Sequence, residues 1–118
     1  MKIFSGDTWT LNELQEQEAD AGRRSLVVPP ADSKRGVLES FAEVLSFPEH
    51  DGPDLDALND SLHDLADSIT DNGNPPVTVL WQVAAQFRAG RTFGIICEIL
   101  QDAERYAGKD LSVTAVLL

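Results

Sequence analysis

Basic residues are absent from the centre of this chain of 118 residues. Between Gly36 and Phe87 there is no Lys or Arg, whereas the same 52 residues include ten Asp and Glu. The whole chain carries a formal net charge of −11. Binding to nucleic-acid phosphates requires clustered Lys and Arg, so the composition argues against nucleic acid as a partner. The cation-free acidic stretch instead predicts a basic partner.

Other absences argue against further classes of protein. No apolar run approaches the ~20 residues that a membrane-spanning helix needs, and the opening residues do not resemble a signal segment. The single cysteine, Cys97, cannot form an internal disulfide. Neither a Gly-x-Ser-x-Gly motif nor a Gly-rich phosphate loop occurs. We therefore expect a cytoplasmic protein without a membrane partner. Because both catalytic motifs are missing, we also expect that the protein is not an enzyme.

Apolar spacing divides the chain into alternating strands and helices. The predicted elements are, in chain order, a strand at 25–29, helices at 33–46 and 54–69, a strand at 77–81, helices at 83–87 and 91–107, and a strand at 112–117. Strands that alternate with helices need crossover connections, which predicts an α/β fold with a three-stranded parallel sheet.

Residues 1–23 are expected to form an N-terminal accessory segment, and residues 24–118 the domain itself. The segment contains a capping-box pattern that predicts a helix at 11–19, and residues 2–4 match a short strand. Its apolar content is low. We therefore expect the segment to pack on the domain, with Trp9 as the contact.

The predicted helix at 54–69 has one apolar side and one acidic side. Its apolar residues recur every three or four positions, as in a buried helix face, and they are Leu55, Leu58, Leu62, Leu65 and Ile69. Asp56, Asp60 and Asp64 follow each other at intervals of four, so their carboxylates lie one turn apart, about 6 Å from each other. Such a row usually includes cations, but this one has none. Its composition predicts a surface for a cationic protein.

A metal-dependent enzyme is an alternative interpretation of the same helix. His63 lies three residues after Asp60 and seven after Asp56, and these side chains are of the types that bind divalent metals or transfer protons. A site of this kind usually needs ligands from a second element, and the sequence indicates none. We therefore expect no metal and no cofactor, with His63 as a surface histidine among acids.

The segment Phe-Pro-Glu-His-Asp-Gly-Pro-Asp-Leu-Asp-Ala-Leu-Asn-Asp-Ser-Leu, residues 47–62, resembles the central motif of the barstar family, intracellular inhibitors of barnase-type ribonucleases. The order of elements after residue 25, with Trp81 in the second predicted strand, is also similar. The resemblance implies a barstar-like fold and a non-catalytic protein. It also implies that the acidic helix and the loop before it close a ribonuclease active site. Its acids would replace the substrate phosphates.

The resemblance also implies individual contacts. Asp60 matches the central inhibitory aspartate and Asp56 the one before it, while Asp102 falls near an acidic contact residue in the last helix. With the acidic row, the residues expected to contact the partner are His50, Asp54, Asp56, Asn59, Asp60, His63, Asp64 and Asp102. The expected partner is a basic protein, in the first instance a small ribonuclease. The sequence patterns do not indicate whether the protein is a monomer or an oligomer.

At three contact positions, this sequence has a different residue from the one typical of the family. His50 stands for a tyrosine, Asn59 for a tryptophan and His63 for a threonine. Aromatic side chains usually dominate the centre of an interface, so their replacement predicts a different partner or weaker binding to barnase itself. The alternative function is therefore a barstar-fold binding module whose partner is not a nuclease.

Overall fold

The computed structural model describes residues 1–6, 10–46 and 54–118. Its elements are β1 (Lys2–Ser5), α1 (Leu11–Asp20), β2 (Arg24–Val28), α2 (Lys34–Leu45), α3 (Leu55–Asn72), β3 (Val77–Val83), α4 (Ala85–Arg88), α5 (Arg91–Ala107), a 3-10 turn (Gly108–Asp110) and β4 (Leu111–Leu117). Every strand and helix predicted after residue 24 is present. α3 is longer than predicted, since it continues past Ile69 to the left-handed Gly73.

The sheet has four parallel strands in the order β1-β4-β3-β2, so the prediction of three strands was wrong. The fourth strand comes from the N-terminal segment: β1 pairs along the outer edge of β4, with Lys2 opposite Thr114 and Ser5 opposite Leu117. A four-residue edge strand pairs through its backbone, and its side chains need no buried pattern. Lys2, Ile3 and Ser5 are in fact exposed. Apolar periodicity therefore gave only a weak signal for this strand.

One face of the sheet carries the main core. Strand side chains alternate between the two faces, and Val77, Val79 and Trp81 of β3 point to the face that α2, α3 and α5 cover. Trp81 is fully buried, with its ring centroid 5.5 Å from that of Phe41 on α2. This packing holds α3 and α5 side by side and directs their outer surfaces to solvent.

The N-terminal segment covers the opposite face. Leu14 of α1 is buried against Leu80 and Val116, the alternate residues of the two central strands. Polar contacts hold the end of the segment: Nε of Arg23 donates to Oγ1 of Thr78 at 2.8 Å, and Thr78 donates to Glu18 at 2.7 Å. The structure thus attaches residues 1–23 to the sheet by strand pairing and by burial. Their accessory status stays a prediction, and Trp9 lies outside the described residues.

Candidate partner-binding surface

Helix α3 starts at a cap that the sequence encodes directly. Asp54 has an extended backbone, and its Oδ1 accepts a hydrogen bond from the backbone N–H of Ala57 at 2.7 Å. From there Leu58, Leu62 and Ile69 are buried in the core. This inward anchoring determines which side chains of the helix face solvent.

The outward side of α3 forms an acidic ridge, which we define as Asp56, Asp60, Asp64, Asp67 and Asp71. At 100° per residue these five positions fall within about 80° of arc, and all five side chains are exposed. Within the described parts of the chain, none of the five forms an ion pair. No ion pair within the described ranges therefore neutralises the negative charge of the ridge.

Two half-buried residues of α3, Asn59 and His63, lie beside the acidic ridge, and His63 contacts α5. Nδ1–H of His63 donates to the backbone carbonyl of Asn59 at 2.8 Å, because a carbonyl can only accept. The imidazole contacts the ring of Tyr106 on α5, with the centroids 4.3 Å apart and the planes inclined by 49°. The imidazole of His63 is thus held by two contacts within the chain, to one of which Asn59 contributes its backbone carbonyl.

Tyr106 connects α5 to the ridge. Its hydroxyl donates to Oδ1 of Asp67 at 2.6 Å, yet the side chain is 54% exposed. This hydrogen bond is the main cause of a raised pKa at Tyr106. Burial adds to the shift, as do the charges of Asp67, Asp71 and Asp64. The phenol therefore stays neutral and senses the negative field of the ridge.

The remaining predicted contact residues occupy different environments. Asp54 is exposed, but one of its oxygens is engaged in the helix cap. Asp102 lies exposed on α5 and forms an ion pair with Arg105. His50 lies outside the described residues. The structure thus groups Asp56, Asp60 and Asp64 on one surface, has Asn59 and His63 beside them, and holds Asp102 in a local pair.

The comparison with protein families gives one match. The model of the family described as Barstar (barnase inhibitor) matches residues 24–118, which is 95 of the 118 residues. The chain belongs to the barstar family. Comparison with curated proteins gives no match, and comparison with solved structures gives none either.

The barstar match begins at the first residue of β2 and includes α3 and α5. The α/β architecture with parallel strands agrees with this family, which is a family of inhibitors rather than of enzymes. Strand β1 and helix α1 precede the matched residues. The matched residues therefore include the helices that carry the acidic ridge and Tyr106, whereas β1 and α1 lie outside the match.

The binding site predicted from the sequence of this barstar-family chain did not include the C-terminal end of the acidic ridge. Asp67 and Asp71 continue the ridge, and their spacing after Asp64 would have been sufficient to include them. Tyr106 was missed altogether. Its position 39 residues from Asp67 leaves no local signal, and only the packing of α5 beside α3 brings the two together.

The described residues contain no group of three or more His, Cys, Asp or Glu arranged to hold a metal ion. Asp56, Asp60 and His63, the residues of the metal hypothesis, do not converge in this way. Among the same residues, no helix is long and apolar enough to cross a membrane.

Proposed function

We propose that this barstar-family chain inhibits a small basic ribonuclease by covering its active site with the acidic ridge of α3. One observation carries the proposal: five exposed aspartates share one side of a helix, and none has an ion pair within the described chain. A cleft that binds RNA phosphates is cationic and would supply the missing charges. Family membership supports a ribonuclease as the partner.

The ridge suits phosphate mimicry for two physical reasons. Successive carboxylates at four-residue spacing are about 6 Å apart on a rigid scaffold, so several cations can be met at once. The aspartate side chain is short and loses little conformational entropy when a partner immobilises it. In addition, α3 is held by a buried face that includes Leu58 and Leu62. Little free energy is then spent on ordering the surface.

Individual residues have distinct proposed roles. Asp60 lies in the middle of the N-terminal part of the ridge and would contact the catalytic cations, with Asp56 and Asp64 one turn to either side. The proposed surrounding contacts are His50, Asp54, Asn59, His63 and Asp102. Because Asp54 and Asp102 already have partners in the chain, we expect them to contribute less than Asp60.

Salt should separate the two kinetic phases of binding. Long-range attraction between a negative ridge and a basic cleft speeds association, an effect for which barnase and barstar are the standard example. Added salt screens that attraction beyond about 8 Å at physiological ionic strength. We therefore expect salt to lower the association rate more than it raises the dissociation rate.

The test is inhibition of barnase-type ribonucleases by the wild-type chain and by Asp60→Asn, measured as RNA cleavage at low salt. Hot-spot residues in interfaces, for which barstar itself supplies a known example, cost at least about 2 kcal/mol. The expected loss of affinity is therefore at least about 30-fold. Asparagine has the size of aspartate, so the change isolates the charge.

Glu16→Gln is the matched control, because Glu16 is an exposed acid on α1, the helix that covers the opposite face of the sheet. It removes the same charge and should change inhibition by less than about twofold. If no basic ribonuclease is bound or inhibited at low salt, the proposal is wrong. Equal losses from Asp60→Asn and Glu16→Gln would contradict the assignment of the ridge.

A second function, binding of a cationic protein that is not a nuclease, is favoured by Asn59 and His63. Both are half-buried, and the ring of His63 lies against Tyr106, at positions where the family resemblance implies a tryptophan and a threonine. Capture of a cationic protein without ribonuclease activity, abolished by Asp60→Asn, would support this function over inhibition. The cytoplasmic location stays a prediction in both cases.

A further inference from the structure

The ring of Tyr106 is an exposed aromatic surface at the C-terminal half of the acidic ridge. Tyr106 is the only tyrosine of the chain, and 54% of it is exposed near the end of α5. Phe41, Trp81 and Phe87 are buried in the core, and Phe4 and Phe93 are partly buried against it. The core therefore does not account for this residue.

Two contacts from α3 hold the ring in place. The hydroxyl is bound to Asp67 at 2.6 Å, and the ring lies against His63, whose Nδ1–H is bound to the carbonyl of Asn59. Tyrosine has few rotatable bonds, and these contacts reduce its freedom further. A partner that stacks on the ring therefore meets a largely ordered surface and loses little affinity to ordering.

The charge around the ring selects the chemistry of such a partner. The pKa of Tyr106 is raised first by its hydrogen bond to Asp67, and the charges of Asp67, Asp71 and Asp64 add to the shift, so a cation at the ring would lie in the same negative field. Arginine is the side chain that both stacks on an aromatic face and donates paired hydrogen bonds to carboxylates. The nearby Arg105 is already paired with Asp102. The surface thus favours a guanidinium from another molecule.

We infer that Tyr106, held against His63 and Asp67, is a contact site for an arginine side chain of the ribonuclease partner. This inference rests on the proposed function and extends its interface beyond Asp60 to the C-terminal end of α3. It assigns an aromatic contact to α5. Lysine would be recognised less well, because its compact ammonium group stacks poorly and remains strongly hydrated.

A peptide experiment tests the inference without a nuclease. Oligoarginine and oligolysine peptides of equal length are titrated into the wild-type chain at low salt, with the ring resonances of Tyr106 followed by NMR. We expect the arginine peptide to bind about 3- to 30-fold more tightly and to shift these resonances. Equal affinities, or arginine binding that leaves the Tyr106 resonances unmoved, would overturn the inference.

Three variants separate the ring from the charge. Tyr106→Ala should remove the preference for arginine, Tyr106→Phe should keep most of it because the ring remains, and Asp60→Asn should weaken both peptides alike. If a ribonuclease is inhibited, Tyr106→Ala should weaken that inhibition about 3- to 30-fold as well. If Asp60→Asn weakens inhibition and Tyr106→Ala does not, the role of Tyr106 is refuted and the proposed function remains intact. Failure of inhibition by the wild type, with the arginine preference at Tyr106 retained, would refute the ribonuclease as the partner and leave the arginine site itself in place.

A titration checks in solution the contact on which the inference depends. Because Tyr106 is the only tyrosine, the phenolate absorbance reports on this one residue. Its pKa is raised chiefly by the hydrogen bond to Asp67, so Asp67→Asn should lower the pKa toward the ordinary value for tyrosine. An unchanged titration curve in Asp67→Asn would contradict the contact and with it the inference.

Discussion

Helices α3 and α5 lie side by side on one face of the sheet, and their inner surfaces are alike whereas their outer surfaces differ. Both bury leucines in the same core, Leu62 on α3 and Leu100 on α5, each with no exposed area. The outer side of α3 carries the acidic ridge without a cation. On α5, by contrast, Asp102 is paired with Arg105.

The contrast between α3 and α5 shows that the fold requires the apolar inner side of each helix but not a particular charge pattern on the outer side. The shared inner pattern is sufficient to pack a helix against the sheet, as α5 demonstrates with a mixed outer surface. Like charges at intervals of three and four weaken a helix, so the ridge on α3 lowers stability without benefit to packing. A surface of this kind is expected where binding to a cationic partner compensates for the repulsion.

The largest effect should come from the inner surfaces, where the two helices should behave alike. We expect Leu62→Ala and Leu100→Ala each to lower the free energy of unfolding by about 2–5 kcal/mol, because each leaves a cavity in a packed core. Denaturant unfolding followed by tryptophan fluorescence measures both. A loss below about 1 kcal/mol in either helix would show that the two inner surfaces are not equivalent.

Glycines should have opposite effects in the two helices. Gly73 ends α3 with φ at 64°, so Gly73→Ala should cost about 1 kcal/mol through backbone strain. Gly94 lies inside α5 with open space at its Cβ position, so Gly94→Ala should add about 0.5–1 kcal/mol. Thermal unfolding of both variants beside the wild type measures the difference. Changes of the same sign would contradict the helix boundaries.

The smallest effect should come from the outer charges. Asp64→Asn removes repulsion from Asp60 and Asp67 and should raise stability by a few tenths of a kcal/mol, more at low salt. Asp102→Asn removes an attractive pair with Arg105 and should lower stability by a similar amount or leave it unchanged. The free energies of unfolding of the two variants, measured at low and at high salt, distinguish these two effects. Stabilisation by both variants would remove the proposed difference between the helices.

The sequence was sufficient to predict α3 because every determinant of this helix is local. Asp54 caps it, Leu58 and Leu62 give its buried side, and Gly73 ends it. Period and caps act within a few residues, so they can be recognised without knowing the neighbours. The ridge follows from the same period, since the direction of the buried side determines which residues face solvent. The barstar motif overlaps this helix and led to the correct family.

The place of β1 in the sheet and the contact of Tyr106 with α3 could not be derived in this way. β1 joins the sheet because the edge of β4 offers backbone groups for pairing, and side chains such as the exposed Ile3 contribute little to that choice. Likewise, Tyr106 meets Asp67 only because the core sets α5 beside α3. Both features depend on residues far apart in the chain, where local patterns carry no information.

For this protein, the sequence by itself determined the helices and strands after residue 24, the acidic side of α3 and the barstar family. These are consequences of local spacing, capping and a short motif. Only the tertiary structure decided that the N-terminal segment supplies an edge strand and covers the second face of the sheet. It also decided that the acidic ridge is bordered by an ordered tyrosine. Packing between distant elements determines both, and it depends on the shape of the assembled core.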